Sequence, residues 1–456
     1  MYSRRDLARA LGALPFIPKL RAQPGALDLD HRLLGRTGRW VVPLGLGGQA
    51  SLQWTGAGID PADIIVRAVE LGVNYLDTAN AYGTSQANYG EAFRRLHLAP
   101  ADSEYRADLR ERIYVASKTT SRTASGAIGD LRRSLTTLFG DGRGWIPEGA
   151  YLDAMQVHNL QSMSEVEQIY EGMETRGGTM PERIGTLAAF LDYRDGTNYT
   201  GLNPERRIWI RHIGITGHLS SPVLMNAIQR DTWDIIDTLL VALNPNDRRY
   251  GSHQHNVLPV ARARGLGVIA MKAFADGVFY GRAPGFSRTA SDVWLSVGRE
   301  SGVSPADFVR YPLSLAGVSC LITGIGRIDR DNAENDQLVA NLTAALGDVA
   351  SPAEKRRIED DVAAAHGTNT NYFAERRGLT QPARVEVEGD GERLVIRWST
   401  ALAGADPVRS YKLYAGDRLL ASIPFRPQPT LAPLVAWVPA SEVGSEGVRV
   451  EASTGL

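Results

Sequence analysis

Residues 76–83 read LDTANAYG, inside the longer run GVNYLDTANAYGTSQANYGEAFRRL at 72–96. Val73, Tyr75 and Leu76 make the apolar side of a short buried strand. YGTS then reads as the turn that leaves it, and SQANYGEAFRRL as the helix that follows. Asp77 would close the strand at its carboxyl end, with Tyr82 in the loop above. In parallel α/β folds chemistry is built at that edge. The stretch alone leaves a second reading open, in which Asp77 caps a turn and Tyr82 is a half-buried aromatic.

The surrounding chain repeats the same grammar. From residue 33 to about 345, strand-like runs alternate with helical patterns. The runs are VVPLGLGG (41–48), GVNYLDTA (72–79), RIYVASKT (112–119), DAMQVHNL (153–160), IRHIGITG (210–217), IIDTLLVALN (235–244), GVIAMKAF (267–274) and SCLITGIG (319–326). In DPADIIVRAVELG, Asp60 is the expected N-cap and Pro61 the first helical residue. Apolar strands separated by helices imply a parallel sheet, and eight such units fit a (β/α)8 TIM barrel over residues 30–350. A doubly wound sheet fits less well, because LGLGG lacks the G-x-G-x-x-G spacing and its acidic partner. Two stretches exceed a minimal barrel: 161–205, with the loop-like RDGTNYTGLNP, and 273–290, rich in Gly, Ala and aromatics.

Beyond residue 380 the helical periodicity stops. ARVEVEGDGERLVIRWS and VRSYKLYAGDRLLASI read as hairpins around GDG and AGD, and GVRVEAS as a last strand. A small all-β sandwich over 380–456 is expected. It resembles a fibronectin type III-like domain, with Trp398 as the core tryptophan and Tyr411 and Tyr414 on the next strand. Residues 351–379 read as a connecting helix and linker. The barrel is expected to close its own core without the sandwich.

Bulk composition excludes several partners. The chain has 456 residues, Lys+Arg 50 against Asp+Glu 51, and net charge −1. No basic excess points to nucleic acid or an anionic membrane, and no apolar run reaches the roughly 18 residues of a membrane span. The single cysteine, Cys320, excludes an internal disulfide and a cysteine zinc site, and no other metal site is expected. Residues 1–26, MYSRRDLARALGALPFIPKLRAQPGA, carry an arginine pair, a short apolar run and small residues. They resemble a twin-arginine export signal through SRRDL. That implies a periplasmic or exported protein; a disordered basic N-terminus on a cytoplasmic protein is the alternative.

Four polar residues stand at the ends of consecutive strand-like runs or just above them: Asp77, Tyr82, Lys118 and His158. A phenol is a poor acid near neutrality, and a nearby ammonium lowers its pKa. A buried ammonium needs a carboxylate partner. A histidine opposite can orient a carbonyl oxygen. Together they make a proton donor aimed at a carbonyl that becomes an alkoxide.

The motifs LGRTG, GVNYLDTANAYG, VASKT, QVHNL, IRHIGITGH, GVIAMK and LITGIG resemble the aldo-keto reductase superfamily over residues 33–345. The resemblance implies reduction of carbonyls with a nicotinamide cofactor. Asp77, Tyr82, Lys118 and His158 match its catalytic tetrad. It further implies cofactor contacts from Asn159, Thr216 and Lys272, and from Gly324, Gly326, Arg327, Glu334 and Asn335 near the adenosine end. NADP is expected, with NAD possible. The expected substrate is a small aldehyde, ketone, alcohol or sugar. Two positions depart from the pattern: Gly217 follows Thr216 where the family often has asparagine, and Gln86 stands where it usually has glutamate. A non-enzymatic nicotinamide-binding sensor, or a carbohydrate- or adhesion-type binding protein, is the alternative from another class.

Overall fold

A computed structural model describes residues 29–175, 178–179, 181–249, 252–285, 287–294, 300–367, 378–445 and 447–455. The export-signal reading of residues 1–26 lies outside the described residues. Among the described residues, no helix is long and apolar enough to cross a membrane, and no cluster of His, Cys, Asp or Glu could hold a metal ion.

A short antiparallel hairpin, β1 (Arg32–Leu33) with β2 (Trp40–Val41), precedes the barrel. The barrel strands are β3 (Leu44–Gly47), β4 (Tyr75–Asp77), β5 (Tyr114–Thr119), β6 (Leu152–Val157), β7 (Ile210–Gly217), β8 (Ile236–Ala242), β9 (Gly267–Met271) and β10 (Val318–Thr323). They pair in parallel and in chain order, and β10 closes on β3 through Leu321↔Leu44. Each strand-like run in the sequence supplies one of them. The runs are apolar almost throughout because both faces of such a sheet are covered. One large core cluster joins the strands to the surrounding helices.

Local chemistry sets the helix starts. Asp60 caps the helix Pro61–Glu70 by accepting from Ala62 N at 2.9 Å. Ser162 and Glu165 form a reciprocal capping box on Met163–Tyr170. The stretch read as a loop-like insertion divides into the helix Thr186–Asp195 and a turn wound around Asp192, which accepts from Thr197 Oγ1, Tyr199 N, Thr200 N and Thr200 Oγ1. Gln86 is buried, and its amide nitrogen reaches Ser117 Oγ and Ser134 Oγ at 2.9 Å each.

The helix Pro352–His366 connects to six antiparallel strands: β11 (Ala383–Asp390), β12 (Arg393–Ser399), β13 (Ser410–Ala415), β14 (Arg418–Pro424), β15 (Leu434–Pro439) and β16 (Val448–Ser453). They form two three-stranded sheets, β11-β12-β15 and β14-β13-β16, over one core in which Trp398 packs edge-on against Tyr411. This unit is not independent of the barrel. Leu402 packs against the barrel core. The buried Asn256, in the helix His253–Ala263, donates to Ala403 O and accepts from Ala403 N. Arg248 reaches Glu359, Ala405 O and Asp406. The expectation of a barrel indifferent to its C-terminal neighbour missed this seam, because ALAGAD (401–406) carries no pattern that marks it as a docking loop.

Candidate active site

The parallel register brings the four residues singled out at strand ends to one rim. Asp77 is the last residue of β4, Lys118 the penultimate residue of β5, and His158 directly follows β6. Asp77 and Lys118 are each 1% exposed. The Lys118 ammonium contacts Asp77 Oδ1 directly and donates to Thr78 O at 3.0 Å. Burial pushes the Asp77 carboxyl up and the Lys118 ammonium down, both toward neutrality, and each is the other's principal counterweight.

Tyr82 sits above this pair. Its hydroxyl is 3.5 Å from His158 Nε2, and the two rings meet edge to face. That separation lets both groups reach a single oxygen atom placed between them. Burial, with the Coulomb field of Lys118, Lys272 and Arg122, lowers His158 to about 3, so its imidazole is neutral near pH 7. Its Nδ1 is buried without a hydrogen-bond partner among the described residues.

The expected lowering of the Tyr82 phenol by Lys118 does not hold in this geometry. The ammonium lies 4.8 Å from the ring centroid, over its face. Burial holds the hydroxyl well above its usual range, and the Asp77 charge adds to that. The result is a phenol that stays protonated.

A cleft of about 540 Å³ runs from Asp77 and Tyr82 across the rim. Its walls include Lys272, Gly324, Gly326, Arg327, Glu334 and Asn335, which were expected to line one site. Thr216 and Asn159 stand apart from that wall. Thr216 is fully buried, and its hydroxyl accepts from Asn159 N at 2.8 Å. Asn159 has φ +63° and its side-chain carbonyl meets His218 Nδ1 at 2.7 Å. Sequence reasoning missed several neighbours. Gln49 accepts from Lys272 Nζ at 2.7 Å. His218 lies beside His158, with ring centroids 6.5 Å apart, and burial pushes it well below its usual range. Gln156 donates to Asp77. A polar residue inside an apolar strand run was the available signal for Gln156.

The cleft is walled largely by backbone and carries both signs of charge, with Asp77, Asp276, Glu334 and Asp336 on its walls beside Lys272 and Arg327. Gly47, Gly48, Gly277, Gly324 and Gly326 let backbone form its walls. At Gly48 a Cβ would lie 2.4 Å from Asp77 O, so no side chain is admitted there. Lys272 and Arg327 supply its positive charge, and Ser51 Oγ is a buried hydroxyl on the wall without a hydrogen-bond partner among the described residues. The segment after β9 folds over the cleft, and its short helix Ala290–Trp294 packs against the turn Ala50–Leu52 on the far side. Non-glycine residues at φ +62° (Lys272), +48° (Ala275) and +55° (Asp276) concentrate in this segment. Strained backbone of this kind clusters at functional sites.

Residues 43–177 match the model of the Aldo/keto reductase family. That segment contains Asp77, Tyr82, Lys118 and His158. No curated protein matches the chain. Among solved structures it is similar to a putative aldo-keto reductase from Pseudomonas aeruginosa, with 22% identity and a TM-score of 0.43 over 70% of this chain and 95% of that one. It is also similar to the holo form of an aldo-keto reductase from Bacillus halodurans, with 19% identity and a TM-score of 0.48 over 75% of this chain and 98% of that one.

Proposed function

We propose that the chain is an NAD(P)-dependent oxidoreductase of the aldo-keto reductase type, interconverting a small carbonyl compound and its alcohol. The observation that carries this reading is the convergence of Tyr82, His158, Lys118 and Asp77 at one end of a glycine-walled cleft with cationic residues along it. A nicotinamide bound in that cleft supplies the hydride. The chain's own residues do the rest. His158, neutral and in the tautomer with a proton on Nε2, donates to the carbonyl oxygen and fixes its direction. Tyr82 gives its hydroxyl proton to the same oxygen as negative charge develops there. An alkoxide is a far stronger base than a phenolate, so a phenol above its usual range still transfers its proton downhill. Lys118, held by Asp77, keeps positive charge against the ring as the phenolate forms.

Lys272 and Arg327 are the groups for the cofactor's phosphates, with Ser51 as a further donor. Arg330 is engaged with Glu70 at 2.6 Å, which leaves the cleft-lining Arg327 to favour NADP over NAD. In this reading Glu334 and Asn335, on the cleft wall, would meet the adenine, while Asn159, off that wall and held by His218, would have to turn to reach the carboxamide. We read the two C-terminal sheets as a fibronectin type III-like module and SRRDL as an export signal. Export would demand a cofactor that is recycled in place rather than exchanged.

The test is turnover of a panel of aldehydes, ketones and sugars with NADPH and NADH, beside the Tyr82→Phe variant. Tyr82→Phe should bind cofactor as the wild type does and lose about 10²–10⁴-fold in turnover, the usual contribution of a positioned acid. Cofactor binding with no turnover of any carbonyl by the wild type would favour the sensor reading instead.

A further inference from the structure

Gln156 lies in β6 directly across from Lys118 in the β5–β6 register, and it is fully buried. Its Nε2 donates to Asp77 Oδ2 at 3.3 Å, while Lys118 holds Oδ1. The Asp77 carboxylate is therefore gripped at both oxygens, by a cation on one strand and an amide on the next. A carboxylate only accepts, so the amide nitrogen must face it. The other end of the amide is poorly satisfied: Gln156 Oε1 is buried without a well-formed hydrogen bond among the described residues, with the buried Tyr75 hydroxyl as the polar group that the Gln156 side chain meets. An amide with a poorly paired carbonyl is costly at such a depth. Aliphatic side chains fill neighbouring strand positions such as Met155 and Val157. The adjacent strand also gives way to it. A Cβ at Gly214 would lie 2.9 Å from Gln156 Cγ and 2.3 Å from Thr238 Oγ1.

We propose that Gln156 is a positioning residue, which holds Asp77 as an anion turned toward Lys118 and so keeps the ammonium charged beside Tyr82. This rests on the proton-donor reading above. An aliphatic residue would satisfy packing alone and leave Asp77 Oδ2 without a donor.

The other titratable groups near Asp77 do not blur a test near neutrality. Lys118 faces it from β5, Tyr75 from its own strand, Tyr82 and Tyr89 from the loop and helix that follow, and Cys320 from β10. Burial pushes the three phenols and the thiol upward, and His158 is already neutral. Lys272 on the rim acts on Lys118 from a distance. The pair Asp77–Lys118 is the element left to respond.

The experiment compares Gln156→Leu and Gln156→Glu with the wild type in the full chain, by thermal melting and by turnover across pH. Gln156→Leu should melt lower at about pH 8 and recover part of the loss near pH 5, because losing the donor to Oδ2 raises the buried Asp77 carboxyl further above its unfolded pKa while Lys118 still holds Oδ1. Its turnover should fall about tenfold or more near neutrality with the dissociation constant for NADPH unchanged. Gln156→Glu, nearly isosteric, can donate only while it holds a proton. It should approach the wild type near pH 5 and fail toward pH 8 in both measurements. Melting losses that are the same at every pH, or Gln156→Glu behaving as the wild type throughout, would overturn the proposal. The melting arm needs no substrate. A wild type that reduces nothing, together with the pH-dependent melting, would sink the carbonyl-reductase reading while leaving Gln156 as the holder of Asp77.

Discussion

Among the described residues, two ion pairs have both side chains no more than 2% exposed, and they are built in opposite ways. Arg110 and Asp153 are 2% and 0% exposed and meet at 2.9 Å, on the amino-terminal side of β5 and β6. Arg110 also donates to Ile113 O and Tyr151 O, and its guanidinium lies 3.9 Å from the Tyr151 ring centroid. Asp153 accepts in addition from Val115 N at 3.0 Å and has Arg211 at 3.6 Å. The pair at the other end of the same two strands uses lysine, a compact charge that can lose its proton. Besides each other, among the described residues Lys118 donates only to Thr78 O and lies over the Tyr82 ring, and the Asp77 carboxylate accepts only from Gln156. One pair has several further partners and staples the chain, although Asp153 Oδ1 accepts no hydrogen bond among the described residues. The other is left lean, beside a cleft, where its charge can act on Tyr82. Burial alone does not distinguish a functional ion pair from a structural one; the number of remaining partners and the choice of cation do.

Removing one cation from each pair should break this contrast most visibly. Arg110→Met strands Asp153 and removes a stacked, four-way contact, so a loss of about 3–5 kcal/mol in stability is expected. Molecules that remain folded should turn over substrate at the wild-type rate. Lys118→Met should also destabilise, and in addition lose most of the turnover even when fully folded. Chemical denaturation paired with turnover per folded molecule checks both. Full turnover by folded Lys118→Met would remove that residue from the chemistry.

The two defects should also differ in their response to pH. Without Lys118, the Asp77 carboxyl rises further above its unfolded pKa. The folded state then binds the proton more tightly than the unfolded one, so stability drops as pH rises through that window and returns as pH falls. Lys118→Met should therefore recover partly as the pH is lowered toward about 5. Asp77→Asn in the same chain should relieve the defect near neutrality without restoring activity. Arg110→Met should recover less, because Asp153 keeps Val115 N and Arg211. Equal recovery in both variants would mean the pairs are alike after all.

Much of this was legible in the sequence, for physical reasons. Each strand-like run became a strand because a two-sided parallel sheet demands unbroken apolar residues, which few other structures do. Asp77, Lys118 and His158 stood out as charged or polar groups ending such runs, and register placed them together. What sequence could not give was distance. The Lys118 ammonium lies over the Tyr82 ring rather than against its oxygen, and burial, with the Asp77 charge, moves the phenol up instead of down. Gln156 was visible as a polar residue in MQVHNL, but its partner depends on which strands are neighbours and which residues are opposite. The fold of 273–290 over the cleft, and the docking of 401–406 on the helix His253–Ala263, depend on glycine-, alanine- and loop-rich segments whose partners lie far away in sequence.

The smallest effect is expected at the seam between barrel and sheets, where Arg248 connects three elements. It meets Glu359 of the connecting helix at 2.7 Å and Asp406 of the docking loop at 2.8 Å. Its side chain is 29% exposed, so solvent screens part of what it contributes. Glu359 is more deeply buried and keeps the Tyr311 hydroxyl at 2.7 Å if Arg248 is lost. The docking loop keeps its two hydrogen bonds to Asn256. Arg248→Ala should thus lower stability by about 1–2 kcal/mol and the melting temperature by a few degrees, with turnover within about twofold of the wild type, since every residue of the proton-donor group is held from within the barrel. The shape of the transition is the more telling readout. In the wild type, the buried Asn256 contacts and Leu402 should couple the sheets to the barrel, so both melt in one calorimetric transition. Weakening the seam at Arg248 should begin to separate a lower transition for residues 380–456 from that of the barrel. If the wild type already melts in two well-separated steps and Arg248→Ala moves neither, the C-terminal sheets are a passenger on the barrel.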